Sequence, residues 1–205
     1  MDPSLFNSEF MLNGVSLSIE SLLLSSKIDN PDFFQFIKQW TSKSSTIELY
    51  TSGSTGLPKK IHVSKSKMVV SAKRTASFLN LQPKDKALCC LPFDYIAGKM
   101  MIVRALVLGL DLYLTKPSKN PLKTIATNFD FVAFTPYQLD HSLNQLNKIK
   151  TLIVGGGPIS EKTKSFLYKN KTNVYETFGM TETVSHIALK NISQGEREFK
   201  ALKGV

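Results

Sequence analysis

Ten consecutive residues, Thr51-Ser52-Gly53-Ser54-Thr55-Gly56-Leu57-Pro58-Lys59-Lys60, carry four hydroxyls, two glycines and two lysines. Hydroxyls and main-chain N–H groups can surround phosphate oxygens, and lysines add positive charge. Glycine lets a ligand come close to the backbone. The stretch therefore suits a polyphosphate grip, while its composition equally suits a flexible Gly/Ser linker. Its short length argues for the grip, as do its flanks, Thr46-Ile47-Glu48-Leu49-Tyr50 and Ile61-His62-Val63, which read as strands. It is not a Walker A loop, because Gly56 is followed by Leu57-Pro58 and not by Lys-Ser/Thr opening a helix.

Three further segments could do chemistry: Pro92-Phe93-Asp94-Tyr95-Ile96-Ala97-Gly98, Gly155-Gly156-Gly157-Pro158 and Phe178-Gly179-Met180-Thr181-Glu182-Thr183. Each also has a purely structural reading. The glycines can form a tight turn, Thr181-Glu182 can be turn polarity, and Tyr95 can be a core ring with a satisfied hydroxyl.

The elements that must position these segments follow from periodicity and capping. Asn13-Gly14 reads as a tight turn. Val15, Leu17 and Ile19 alternate as in a strand, and Leu22-Leu23-Leu24 can open a helix. Phe33, Phe36, Ile37 and Trp40 fall at helical spacing after Pro31, which makes the single Trp a core residue. Ser64 caps a helix to Leu79 with Met68, Ala72, Ala76 and Leu79 on one face, and with Lys65, Lys67, Lys73 and Arg74 on solvated faces. From Lys86 onward, strands are expected at 86–91, 110–115, 131–134, 150–154 and 173–177. Helices are expected after the Pro92–Gly98 segment and ending near Gly109, at 121–128, from Pro136 to about Leu146, and from Ser160 to about Tyr168. Alternating strands and helices with short connections define an α/β domain with largely parallel sheets flanked by helices. In such sheets ligands sit beyond the carboxyl ends of the strands, where all three further segments fall.

At 205 residues the chain can bury a sizeable core, and 42% hydrophobic with 20% charged residues is a globular balance. The net charge of +10 admits nucleic acid, an anionic membrane or a polyanionic small substrate. The basic residues are scattered and no nucleic-acid motif is present, so nucleic acid is not expected. The longest apolar stretch, residues 100–110, is too short to span a bilayer and contains Arg104. Cys89 and Cys90 are adjacent in an apolar strand and point to opposite faces, which disfavours a disulfide and fits a reducing, cytoplasmic compartment. The N-terminus lacks a basic-then-apolar signal.

Taken together, the loop at 51–60, the glycines at 155–157 with Pro158, and Tyr175-Glu176-Thr177-Phe178-Gly179-Met180-Thr181-Glu182-Thr183 resemble the adenylate-forming enzymes: acyl-CoA synthetases, adenylation domains and luciferases. The resemblance covers the chain from about Thr46. Within that superfamily, residues 95–101 and 181–188 look most like o-succinylbenzoate–CoA ligases of menaquinone biosynthesis.

The resemblance implies the large N-terminal domain of such an enzyme, with residues 46–205 as an incomplete adenylate-forming core and residues 1–45 packed on it. It places the family's hinge Asp and adenylation Lys beyond Val205, in a small C-terminal domain, so a truncated chain of weak activity is expected. It also implies an acid–thiol ligase using ATP, Mg²⁺ and CoA. Thr51, Ser52, Gly53, Ser54, Thr55, Gly56 and Lys59 would hold the β- and γ-phosphates. Phe178 would lie against the adenine beside Gly179, with Gly155 and Gly156 close to the nucleotide. Thr181 would bond the α-phosphate, and Glu182 would hold the metal. Tyr95, where many relatives carry His, Gly98, Met180 and His186 would border the acid, with Lys99, Arg104 and His186 as candidates for its second carboxylate. Lys59, Thr181 and Glu182 are the catalytic candidates. The expected partners are a small carboxylic acid, ATP and CoA, with a homodimer as the candidate assembly. The alternatives are another acyl- or aryl-CoA synthetase, a carrier-protein-loading adenylation enzyme, and a non-catalytic nucleotide-binding module.

Overall fold

Capping residues and apolar stripes set the elements, which group into two units. The computed structural model describes residues 2–24, 30–50 and 59–204. One unit comprises Met1–Lys84 with Pro92–Leu112, and the other Asp85–Leu91 with Tyr113–Val205.

In the first unit, β1 (Met11–Leu12) and β2 (Val15–Ser16) form a hairpin. Asn13 and Gly14 take φ of 52° and 80°, the left-handed pair that a two-residue turn demands. The alternation expected through Ile19 stops at Ser16. The Ser18 hydroxyl accepts the Ser21 N–H at 3.1 Å, and Ile19 opens helix α1 (Ile19–Leu24). Helix α2 (Pro31–Thr41) is capped by the Asn30 side chain and buries Phe33, Phe36, Ile37 and Trp40. Trp40 donates its indole N–H to the Leu5 carbonyl at 3.0 Å, so the ring is core as expected. Strands β3 (Thr46–Tyr50) and β4 (Lys60–Ser64) pair antiparallel from Thr46↔Ser64 to Tyr50↔Lys60.

Helix α3 (Lys65–Leu79) starts at its Ser64 cap and ends on left-handed Asn80. One basic residue on it departs from expectation. Lys65 is buried, and its ammonium donates to the Ser42 carbonyl at 2.8 Å; burial lowers its pKa. Helix α4 (Ile96–Leu108), apolar but for Lys99 and Arg104, is buried around most of its circumference. It ends at Gly109, whose φ is +74° and where a Cβ would lie 2.9 Å from the Asn7 and Glu9 side chains. The first two residues of β6 (Asp111–Leu114) pair parallel with β1.

In the second unit, β5 (Lys86–Cys89), β7 (Phe129–Phe134), β8 (Ile149–Val154) and β9 (Asn173–Gly179) run parallel in that spatial order. Strands β10 (His186–Asn191) and β11 (Lys200–Ala201), not anticipated from sequence, continue the sheet antiparallel. The fold is α/β with a mostly parallel sheet flanked by helices. Helix α5 (Pro136–Ser142) opens with a Thr135/Gln138 capping box, and α6 (Glu161–Leu167) is capped by Ser160. Leu139 and Leu167 from these helices join Val132, Leu152 and Val174 in one apolar core.

Two helix expectations fail in this unit. Residues 121–128 are turns and irregular chain. The Asn120 side chain takes the Leu122 N–H at 3.2 Å, and the Lys148 ammonium takes the Leu122 and Ile125 carbonyls at 3.4 and 2.6 Å, so partners outside the segment replace helical ones. Helix α5 stops at Ser142 and gives way to a 3₁₀ stretch, Leu143–Lys148. Cys89 and Cys90 are both buried, as expected, and neither forms a disulfide.

Candidate functional site

In the second unit, adjacent parallel strands β8 and β9 deliver two of the predicted segments side by side. They are in register through Val154↔Glu176. Gly155 follows β8 and donates its N–H to the Phe134 carbonyl at 3.1 Å. A Cβ on Gly155 would meet the Thr177 hydroxyl at 2.4 Å, whereas Gly156, at φ +86°, faces open space. Glycine is thus required at 155 by close strand approach and at 156 by backbone conformation.

Phe178 stands at the end of β9 with 58% of its surface exposed. Gly179 crosses β10 so closely that a Cβ would lie 2.4 Å from the His186 Cα and the Ser185 carbonyl oxygen. Beyond it the chain turns through Met180, Thr181 and Glu182. The Thr183 hydroxyl accepts the Met180 N–H at 3.0 Å and donates to the Ser185 carbonyl at 2.7 Å. Val184 follows at φ +73°, a conformation that costs a β-branched residue strain. Met180 and Glu182 are exposed and Thr181 is partly exposed, while His186 is buried with Nδ1 3.5 Å from the Ser185 hydroxyl.

Sequence reasoning missed the carboxylate that braces this region. Glu176 is 5% exposed. One of its oxygens accepts the Ile159 N–H at 3.0 Å, and the other pairs with Lys190 at 2.8 Å and Lys164 at 3.7 Å. Burial pushes its pKa up, but the Ile159 N–H and the two ammonium groups overcome this and hold it below the ordinary carboxylate range. Lys190 and Phe199 were likewise missed, and no sequence signal marks either; Thr183 stood inside the 175–183 motif without an assigned role.

The first unit holds the remaining candidates. Tyr95 is 55% exposed at the N-cap of α4, and Gly98 is buried in its first turn. Lys99 donates to the Phe93 and Asp94 carbonyls at 2.7 and 3.3 Å, stapling the turn before α4. Burial lowers its pKa, against the opposing fields of Asp94 and Asp32. Arg104 is buried, with Nη1 3.9 Å from the Met101 sulfur. Lys59 is exposed immediately before β4. Thr51, Ser52, Gly53, Ser54, Thr55 and Gly56 lie outside the described residues. Among the described residues, no helix is long and apolar enough to cross a membrane, and no group of three or more His, Cys, Asp or Glu could hold a metal ion.

The model of the AMP-binding enzyme family matches residues 21–202, and the chain belongs to that family. It is similar to the solved structure of an acyl-CoA synthetase (AMP-forming)/AMP-acid ligase II-like protein from Dyadobacter fermentans, with 35% identity and a TM-score of 0.82 over 92% of this chain and 57% of that one. It shares its fold, at 24% identity and a TM-score of 0.66, with the o-succinylbenzoate coenzyme A synthetase of Bacillus subtilis in complex with ATP and magnesium ion, covering 72% of this chain and 33% of that one. The 2-succinylbenzoate–CoA ligase of Listeria monocytogenes is 26% identical over 159 residues, 74% of this chain and 34% of that protein. The chain thus spans about a third of the length of the curated relatives it matches.

Proposed function

We propose that this chain carries nucleotide-handling machinery of an AMP-forming acid–CoA ligase, with o-succinylbenzoate as the acid and residues 46–205 as the adenylate-forming core. The observation that carries the reading is the pairing of the 155–157 glycine turn with the exposed Phe178 ring at the ends of adjacent parallel strands. A base can stack on such a ring while the nucleotide passes a backbone stripped of side chains.

In this reading Phe178 and Gly179 receive the adenine, Gly155 and Gly156 flank the nucleotide, and the Thr181 hydroxyl donates to the α-phosphate. Thr51, Ser52, Gly53, Ser54, Thr55, Gly56 and Lys59 hold the β- and γ-phosphates. Glu182 offers one exposed carboxylate. That fits Mg²⁺, which keeps several waters and binds through one or two carboxylates plus substrate phosphates. Support for ATP and magnesium comes from the Bacillus subtilis synthetase solved with both, and support for the acid from ligases named for 2-succinylbenzoate. Tyr95, Gly98, Met180 and His186 border the acid. The burial of His186 and the carbonyl partners of Lys99 make neither a ready free cation for a second carboxylate.

A carboxylate oxygen of the acid attacks the α-phosphorus, and the bond to the β-phosphate bridging oxygen breaks to release pyrophosphate. The CoA sulfur then attacks the acyl carbon, AMP leaves, and the thiol proton goes to solvent. The first step joins two anions, so alignment and charge neutralisation dominate its barrier.

Product analysis tests the proposal. Incubation with ATP, Mg²⁺, CoA and a panel of acids should release AMP and pyrophosphate, most with o-succinylbenzoate. Release of ADP contradicts it. A different preferred acid corrects the substrate alone, and a chain that binds no AMP contradicts the nucleotide reading.

A further inference from the structure

The exposed Phe178 ring does not stand alone. Its centroid lies 5.8 Å from that of Phe199, with the planes tilted by 52°. The Lys190 ammonium lies over the Phe199 ring, 4.4 Å from its centroid. Lys190 is in turn paired with the buried Glu176 at 2.8 Å. Register explains the assembly: Lys190 sits opposite Glu176 and Ala188 opposite Phe178 across β9 and β10, and β11 brings the chain after Phe199 alongside β10. The other oxygen of Glu176 accepts the Ile159 N–H, just past the glycine turn. One buried carboxylate therefore braces the glycine turn directly and the Phe178 ring through Lys190 and Phe199.

We propose that Phe199, fixed by Lys190, is a positioning residue that sets the Phe178 ring for stacking on a purine base. This rests on the nucleotide reading given above. An exposed phenylalanine at a strand end has several rotamers open to it, and stacking requires one. A neighbouring ring selects that rotamer through the tilted aromatic contact, and the cation over the far ring keeps the neighbour from swinging away. Neither Phe199 nor Lys190 needs to touch the nucleotide.

The test compares AMP with ribose 5-phosphate, which lacks the base, by titration into the 205-residue chain and its F178A, F199A, F199Y, K190Q and F178A/F199A variants. The proposal predicts that F199A weakens AMP about three- to tenfold, the range an aromatic pair supports, and leaves ribose 5-phosphate unchanged. F199Y should retain the wild-type affinity, K190Q should show a smaller loss of the same kind, and F178A/F199A should be no weaker than F178A. Equal losses for both ligands, or additive losses in the double variant, would overturn the positioning role. So would wild-type affinity in F199A when F178A is weakened, and that result would leave the nucleotide reading intact. Wild-type chain that ignores AMP, or binds it equally well as F178A, would overturn the nucleotide reading and the inference with it. Should F199A unfold, F199Y and K190Q carry the same comparison, and an unselective loss in K190Q then counts against the proposal.

Discussion

The close crossing at Gly179 gives that residue a structural duty besides any beside a bound base. A Cβ there would press on the β10 main chain at His186 and Ser185, not on a side chain that could rotate aside. Gly179→Ala should therefore part β9 from β10 and cost about 1–3 kcal/mol, the usual penalty of overpacking, measured by urea unfolding. It should also disturb the neighbouring Phe178. An unchanged stability would mean that the strands can separate freely at the irregularity in register between His186 and Ala188. The glycine was legible in the sequence as part of a motif, but the reason for it was not, because β10 was invisible there. Lys65 teaches the same limit: its type reads as a solvated residue, and only the fold supplies the Ser42 carbonyl that makes burial tolerable.

At the scale of elements, local chemistry was read well and long-range chemistry poorly. The Ser64 and Ser160 caps, the Asn13-Gly14 turn and the α2 stripe are each decided by residues within one turn of one another. The 121–128 segment failed because its carbonyls are taken by Lys148, some two dozen residues away. Strands β10 and β11 escaped because antiparallel edge pairing depends on a partner strand and not on local pattern alone. Glu176 joins four such distant pieces: β9, β10, α6 and the turn at Ile159. Its folded-state pKa is lowered, so its contribution is fully present above the unfolded carboxylate pKa. That contribution is lost as pH falls through the lower folded value. Glu176→Gln should reduce stability at neutral pH by about 1–3 kcal/mol, the worth of hydrogen bonds to a charged group. It should also flatten the decline in stability below about pH 4. Thermal unfolding across that range reads both effects, and a variant whose acid decline matches the wild type would remove Glu176 from the account.

Over the whole molecule, the α/β architecture was legible from the start, from alternating elements, whereas the net charge of +10 by itself left nucleic acid, an anionic membrane and a polyanionic small substrate open. The arrangement of the site was legible only in part, since the motifs marked the strand ends while the bracing by Glu176, Lys190 and Phe199 depended on register. The central claim is that a nucleotide binds where β8 and β9 end. Hydrogen–deuterium exchange of the chain with and without saturating AMP tests it most directly. The account predicts slowed exchange concentrated in residues 155–159 and 177–183. Unchanged exchange in both segments, with AMP shown to be bound by titration, would contradict it.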